Sequence, residues 1–130
     1  AATGTVVLAF ALRNRSAGPC HTYGFPGVAF VSASGSVMAT SVTHTTQDIL
    51  GSTPEQTIEL APGAEASFRV VTSDTGTGGG SAGCAHVAGV QLIAPDDTAP
   101  LRVSLPRGTI VCGTSGVSPL LVGGSAVPGV

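Results

Sequence analysis

Of the 130 residues, 35 are β-branched: 16 Val, 15 Thr and 4 Ile. These side chains lose χ1 freedom in a helix and fit well on a pleated surface. Nineteen Gly and nine Pro punctuate the chain from end to end. No window of a dozen residues keeps apolar positions at i, i+3, i+4 and i+7 without a Gly, Pro or Thr interruption, so the amphipathic-helix pattern is missing. The sequence predicts an all-β chain. At this length it is one domain over residues 1–130, large enough to bury a core unaided, with residues 1–4 and 123–130 as loose ends.

Period-two alternation places the strands. In residues 5–14, Val6, Leu8, Phe10 and Leu12 share one face. Val7, Ala9 and Ala11 on the other are small enough to pack under a second layer or a loop. Residues 27–33 follow a Tyr-Gly-Phe-Pro-Gly corner, and residues 33–36 read as a hairpin turn with a return strand over 37–42. The polar stretch 43–56 reads as a loop. Ile58 and Leu60 precede a Pro62-Gly63 turn of type II chemistry. Ala66, Phe68 and Val70 then alternate with Ser67, Arg69 and Val71. Further alternating runs follow at 88–94 and 101–105, and an extended piece at 117–122 closes the domain. This pattern predicts an immunoglobulin-like, two-sheet antiparallel β-sandwich of about seven to eight strands.

Charge excludes several functions. Charged residues make up 9% of the chain, against about 25% in ordinary soluble domains. All five bases are arginine, set against seven acids, so no basic patch exists to neutralise phosphates and no nucleic-acid partner is implied. Hydrophobic content of 42% excludes disorder by charge repulsion. No apolar run approaches the roughly 18 residues of a membrane-spanning helix.

Local motifs have structural readings that outweigh their catalytic ones. Gly79-Gly-Ser81-Ala-Gly83 matches a nucleophile elbow in letters, but that motif needs a strand entering and a helix leaving. Gly78, Gly80 and Gly83 similarly lack the βαβ frame of a dinucleotide site; a glycine loop explains both. Asp96 and Asp97 are adjacent on a turn, whereas acid–base catalysis requires carboxyls converging across a cleft. Cys84-x-His86 could place two zinc ligands on one side of a strand, but His21 and His44 lie in separate segments. A single, partly buried His86 is the expectation, with no metal and no cofactor. Asn14-Arg-Ser16 is a formal glycosylation sequon, better explained by Asn14 and Ser16 satisfying backbone groups where a strand ends. Tyr23 and Phe25 are two of five aromatics and cluster with His21 and Pro26. This end is the candidate recognition patch, against the plainer reading that the corner packs on the core. An aromatic residue before Pro26 also raises the cis fraction.

Several of these pieces, in order, resemble the actinobacterial secreted family of domains of unknown function numbered forty-two thirty-two. The resemblance rests on Phe10-Ala-Leu-Arg-Asn14-Arg-Ser16, then Cys20, then Gly24-Phe25-Pro26-Gly27-Val28. It continues through Leu60-Ala-Pro62-Gly63, Cys84 with Val90-Gln-Leu-Ile-Ala-Pro95, and Cys112 with Val117-Ser-Pro-Leu-Leu-Val122. Members of the family usually open with an extra strand bearing a first cysteine, which has no counterpart here, and this chain has three cysteines. An odd cysteine in an exported domain is a flag. Against the family's arrangement, Cys84 and Cys112 fall at one end of a sandwich and Cys20 at the other. The expected disulfide is Cys84–Cys112 with Cys20 unpaired; a Cys20–Cys84 bond is the rival.

The resemblance and the cysteines imply an exported, extracytoplasmic domain of the cell envelope or beyond. It would be non-catalytic and would act as an interaction or structural module for a protein or envelope component. The alternative is a small-ligand or metal-binding domain using a loop end near His86 or His21. The edge left by an absent first strand could self-associate or accept a partner strand. No signal peptide or lipid-attachment cysteine stands at Ala1, so export rests on the cysteines and the resemblance.

Overall fold

The computed structural model describes residues 4–38, 42–74, 84–95 and 100–124, which form thirteen short strands and no helix. Two nine-residue strands organise the fold. β1 (Thr5–Arg13) and β8 (Glu65–Ser73) pair antiparallel along their whole length, setting Leu8 against Val70, Phe10 against Phe68 and Leu12 against Ala66. The Phe10 and Phe68 rings stack with centroids 5.4 Å apart. The opposite face of β1 departs from expectation. Ala9 and Ala11 are exposed.

Burial differs sharply between these partners. In β1 only Phe10 is buried, whereas β8 buries six residues, among them Ser67 and Arg69 on its second face. Position in the sheet accounts for this. β8 lies between β1 and β12 (Ile110–Val117), with β13 (Leu121–Val122) continuing beside it at Ser67 and Ala66. Between Cys112 and Gly116 the β12 register slips against β8, and Gly113 accommodates the bulge at φ +68°. β12 also pairs antiparallel with β9 (Cys84–His86) and parallel with β4 (Val42–His44).

The remaining sheets are small. β3 (Gly27–Val31), β10 (Gly89–Ile93) and β11 (Leu101–Ser104) form one of three strands. β2 (Cys20–Tyr23) pairs with β7 (Thr57–Leu60), and β5 (Gln47–Asp48) with β6 (Gly51–Ser52). One core joins them: Phe30, Phe68, Val70, Val90 and Val117 are wholly buried, with Ile58, Leu60 and Leu120 against them. No helix among the described residues is long and apolar enough to cross a membrane.

The all-β expectation agrees with this architecture, but the strand count and the two large sheets do not. The excess strands arise where longer ones break. Gly24-Phe25-Pro26 separates β2 from β3, and Ser118-Pro119 separates β12 from β13; proline cannot donate to a ladder. The Phe25–Pro26 bond is trans, and Gly24 at φ +95° makes the corner. After the turn at 33–36, the return strand shrinks to one bridge between Val31 and Val37; residues 39–41 of it lie outside the described residues. Beyond that gap Val42 begins β4, so the stretch expected as a loop at 43–56 contains three short strands. In β11 all four residues are exposed, Leu101 and Val103 included, despite their alternation. Gly4 accepts a hydrogen bond from Asp74 N (2.9 Å) and Gly123 donates to Glu65 O (3.1 Å), so neither is loose. Residues 1–3 and 125–130, Ser81 with its glycines, and Asp96 and Asp97 lie outside the described residues.

Candidate functional site

β1 and β2 are joined by an arch over residues 14–19, and Asn14 fixes its shape. Its Nδ2 donates to Gly18 O (2.9 Å) and Leu60 O (2.8 Å), and its Oδ1 accepts from Ser16 N (3.0 Å) and Ser16 Oγ (2.7 Å). The side chain is buried and both amide protons are engaged. Asn14 and Ser16 therefore do the backbone work expected of them, and Nδ2 is not available to a glycan.

Beside this arch runs an open groove of about 650 Å³. Leu12, Leu60, Ala66, Leu101 and Leu120 give it apolar walls, and β2 contributes Cys20, His21 and Thr22. Arg13 and Arg15 also line it. The Thr22 hydroxyl is buried without a hydrogen-bond partner, an arrangement that costs about 1–3 kcal/mol unless a donor or acceptor arrives. Among the described residues β1 pairs only with β8.

The structure divides the candidate patch of His21, Tyr23, Phe25 and Pro26. His21 is exposed on the groove wall. Tyr23 is 49% exposed and its hydroxyl makes a long 3.5 Å contact to Glu55 Oε2. Phe25 stacks on His44 with rings 4.5 Å apart and nearly parallel. Pro26 is fully buried. The four residues thus face four different surroundings.

Cys84 and Cys112 sit directly opposite one another on β9 and β12, with Cα atoms 4.0 Å apart and the sulfurs bonded. The pairing is the expected one, but both cysteines lie within paired strands rather than in end loops. Cys20 is free and exposed. With Cys84 so engaged, the Cys84-x-His86 pair cannot bind zinc. His86 is exposed rather than partly buried. Among the described residues no three His, Cys, Asp or Glu side chains gather as a metal site.

Sequence reasoning missed the most polar part of the interior. Arg69 is completely buried; its Nε donates to Asp48 Oδ2 (2.8 Å) and its Nη2 to Asp48 Oδ1 (3.0 Å) and Thr53 Oγ1 (2.9 Å). The β5–β6 hairpin carries Asp48 to it, and Asp48 Oδ1 also accepts from Leu50 N (2.9 Å). A signal did exist: an arginine in the middle of an alternating apolar run requires a partner if that strand is covered on both faces.

A family model described as Domain of unknown function (DUF4232) matches residues 1–121. The chain belongs to this family. Searches of curated proteins and of solved structures return no match. The family match agrees with the resemblance read from the sequence and leaves the activity to be argued from the site.

Proposed function

We propose that the chain is an exported, non-catalytic module, an immunoglobulin-like sandwich in its finer architecture, that accepts an extended segment of a protein partner beside β1. The observation that carries this reading is an apolar groove beside a nine-residue strand whose one partner among the described residues is β8. Such a strand offers backbone hydrogen bonds, and the groove offers pockets for alternate side chains. The disulfide supports an oxidising, extracytoplasmic setting, because such bonds rarely persist in reducing compartments. A photo-cross-linking residue at Ala11, on β1, tests the reading against a control at Ile49, an apolar residue 53% exposed. Adducts from Ala11 alone, found in the envelope or extracellular fraction, are expected. Equal adducts from both positions would defeat the proposal.

A second reading is favoured by Arg13, Arg15 and His21 on the groove wall: the groove holds a small amphiphile with an anionic or hydrogen-bonding head. Native mass spectrometry showing one equivalent of a co-purified small molecule would support it over strand addition.

A further inference from the structure

We infer that the tip of the β5–β6 hairpin is a lipid-docking contact, with Ile49 and Leu50 entering the margin of an uncharged or zwitterionic membrane surface. This contact is separate from the groove and does not depend on the strand-addition reading. Asp48 pairs with Gly51, so Ile49 and Leu50 make up the whole of a two-residue loop. Loops of that length are ordinarily built from Asn, Asp and Gly, which tolerate the backbone a tight hairpin needs. Neither residue is of that kind, and Asp48 Oδ1 holds the turn instead by accepting from Leu50 N (2.9 Å). Burial does not select the pair either, since Ile49 is 53% exposed and Leu50 37%. Turn chemistry and core packing leave these two aliphatic side chains unexplained, as happens where a local rule yields to a function.

The base of the hairpin is anchored as firmly as its tip is bare. Arg69, wholly buried on β8, donates to Asp48 on the first leg and to Thr53 Oγ1 just after the second, and Thr53 is itself buried. Thr53 N bonds Thr46 O (2.7 Å), and Thr45 N bonds Val117 O (2.9 Å) on β12. A buried ion pair is weak evidence of net stability, and fixing position is its better-attested use. What this one fixes is the hairpin.

The same clamp bears on the kind of surface the tip meets. Asp48 adjoins Ile49 and is the single charged residue from Thr45 to Pro54. Facing outward, its carboxylate would oppose entry into hydrocarbon. Its side chain is drawn onto Arg69 and is 7% exposed, so the tip can enter without dehydrating a free charge. Thr46, Gln47 and Ser52, all exposed, flank the tip with uncharged polar groups suited to the headgroup level. This stretch carries no lysine or arginine to attract an anionic leaflet. It also lacks the Trp, Tyr and Arg that anchor protein interfaces.

The test holds the full chain at a vesicle surface through a C-terminal hexahistidine on a nickel-chelating lipid in phosphatidylcholine, because a small apolar contact binds a bilayer only weakly by itself. The chain contains no tryptophan, so Leu50→Trp reports on the tip, and Tyr23→Trp on β2 reports on the body. Emission from Leu50→Trp is expected to move to shorter wavelength and to be quenched by brominated lipid, and that from Tyr23→Trp to do neither. Ile49→Ser/Leu50→Ser is expected to raise the apparent Kd for these vesicles about tenfold, the ratio that burying the exposed half of two aliphatic side chains gives. Circular dichroism checks that the variants keep their sheets. Leu50→Trp emission unchanged by the vesicles would overturn the lipid contact, and an unchanged Kd for the double serine variant would overturn the tip as its site. A shift seen only with phosphatidylserine present would overturn the uncharged surface. Protein adducts from the cross-linker at Ile49 would assign the tip to a protein partner and overturn the lipid contact, whatever Ala11 yields.

Discussion

Replacing Asp48 with alanine removes the only carboxylate bonded to Arg69 among the described contacts. The guanidinium would keep its bond to Thr53 Oγ1 (2.9 Å) but lose two charge-assisted bonds of 2.8 and 3.0 Å. Arg69 is 0% exposed and the Asp48 side chain 7%, so water cannot readily take the carboxylate's place. Breaking a buried pair by removing one partner costs about 3–5 kcal/mol. With an m-value of about 2 kcal/mol/M, the urea midpoint should fall by roughly 2 M. The double variant Asp48→Leu/Arg69→Met separates this from simple loss of packing. It removes both charges and should recover much of the stability, though Thr53 Oγ1 loses a donor at about 1–3 kcal/mol. Urea unfolding followed by circular dichroism measures all three proteins. If Asp48→Ala unfolds within about 0.5 M of the wild type, Arg69 is not held as a buried ion and the reasoning is refuted.

Three further outcomes concern the cysteines and the arch. Reducing Cys84–Cys112, which closes 28 residues of chain, should cost about 3–4 kcal/mol in the chain-entropy account, and thermal unfolding with and without reductant measures it. Cys20→Ser should leave stability within about 0.5 kcal/mol, as surface substitutions do, and peptide mapping without reduction should find only Cys20 labelled by iodoacetamide. Asn14→Ala leaves the Leu60 carbonyl and the Ser16 amide without their partner. It should cost about 2–3 kcal/mol, read from the urea midpoint, and a loss below about 0.5 kcal/mol would show that the arch holds without it.

The sequence disclosed what alternation and turn chemistry control. The core faces of β1 and β8 follow from Leu8, Phe10 and Leu12 against Ala66, Phe68 and Val70. The Pro62-Gly63 turn has Gly63 at φ +84° and an Ala64 N to Ala61 O bond of 2.9 Å, as type II chemistry requires. What it concealed depends on which neighbour covers a strand. Ala9 and Leu101 carry the same pattern signal whether a face is covered or bare, and only the sheet order shows both as exposed. Residues 43–56 looked irregular because they contribute isolated polar groups, Asp48 and Thr53, delivered across 21 and 16 positions to Arg69. The groove was hidden for a similar reason: it gathers residues from β1, β2, β7, β8 and β11 that no local spacing connects.

The placement of the arginines is the strongest argument that the β5–β6 hairpin serves a purpose. Five are available in the whole sequence, in a chain with no lysine. Arg102 on β11 bonds Gly35 O (2.7 Å) and Gln91 Oε1 (3.1 Å) at the surface. Arg13 stands at the end of β1 in an exposed contact of 3.5 Å with Glu65, of a kind that contributes little. Arg69 differs from both, because it is wholly buried and its carboxylate partner is carried to it by the hairpin. A well-packed apolar pair at positions 48 and 69 could hold the hairpin to β8 with less desolvation, but without direction. The two-pronged contact of Nε and Nη2 with the Asp48 carboxylate adds geometric specificity, and so fixes the direction in which Ile49 and Leu50 point. Direction matters for an exposed tip more than for a core contact, because a tip meets its surface from one side only.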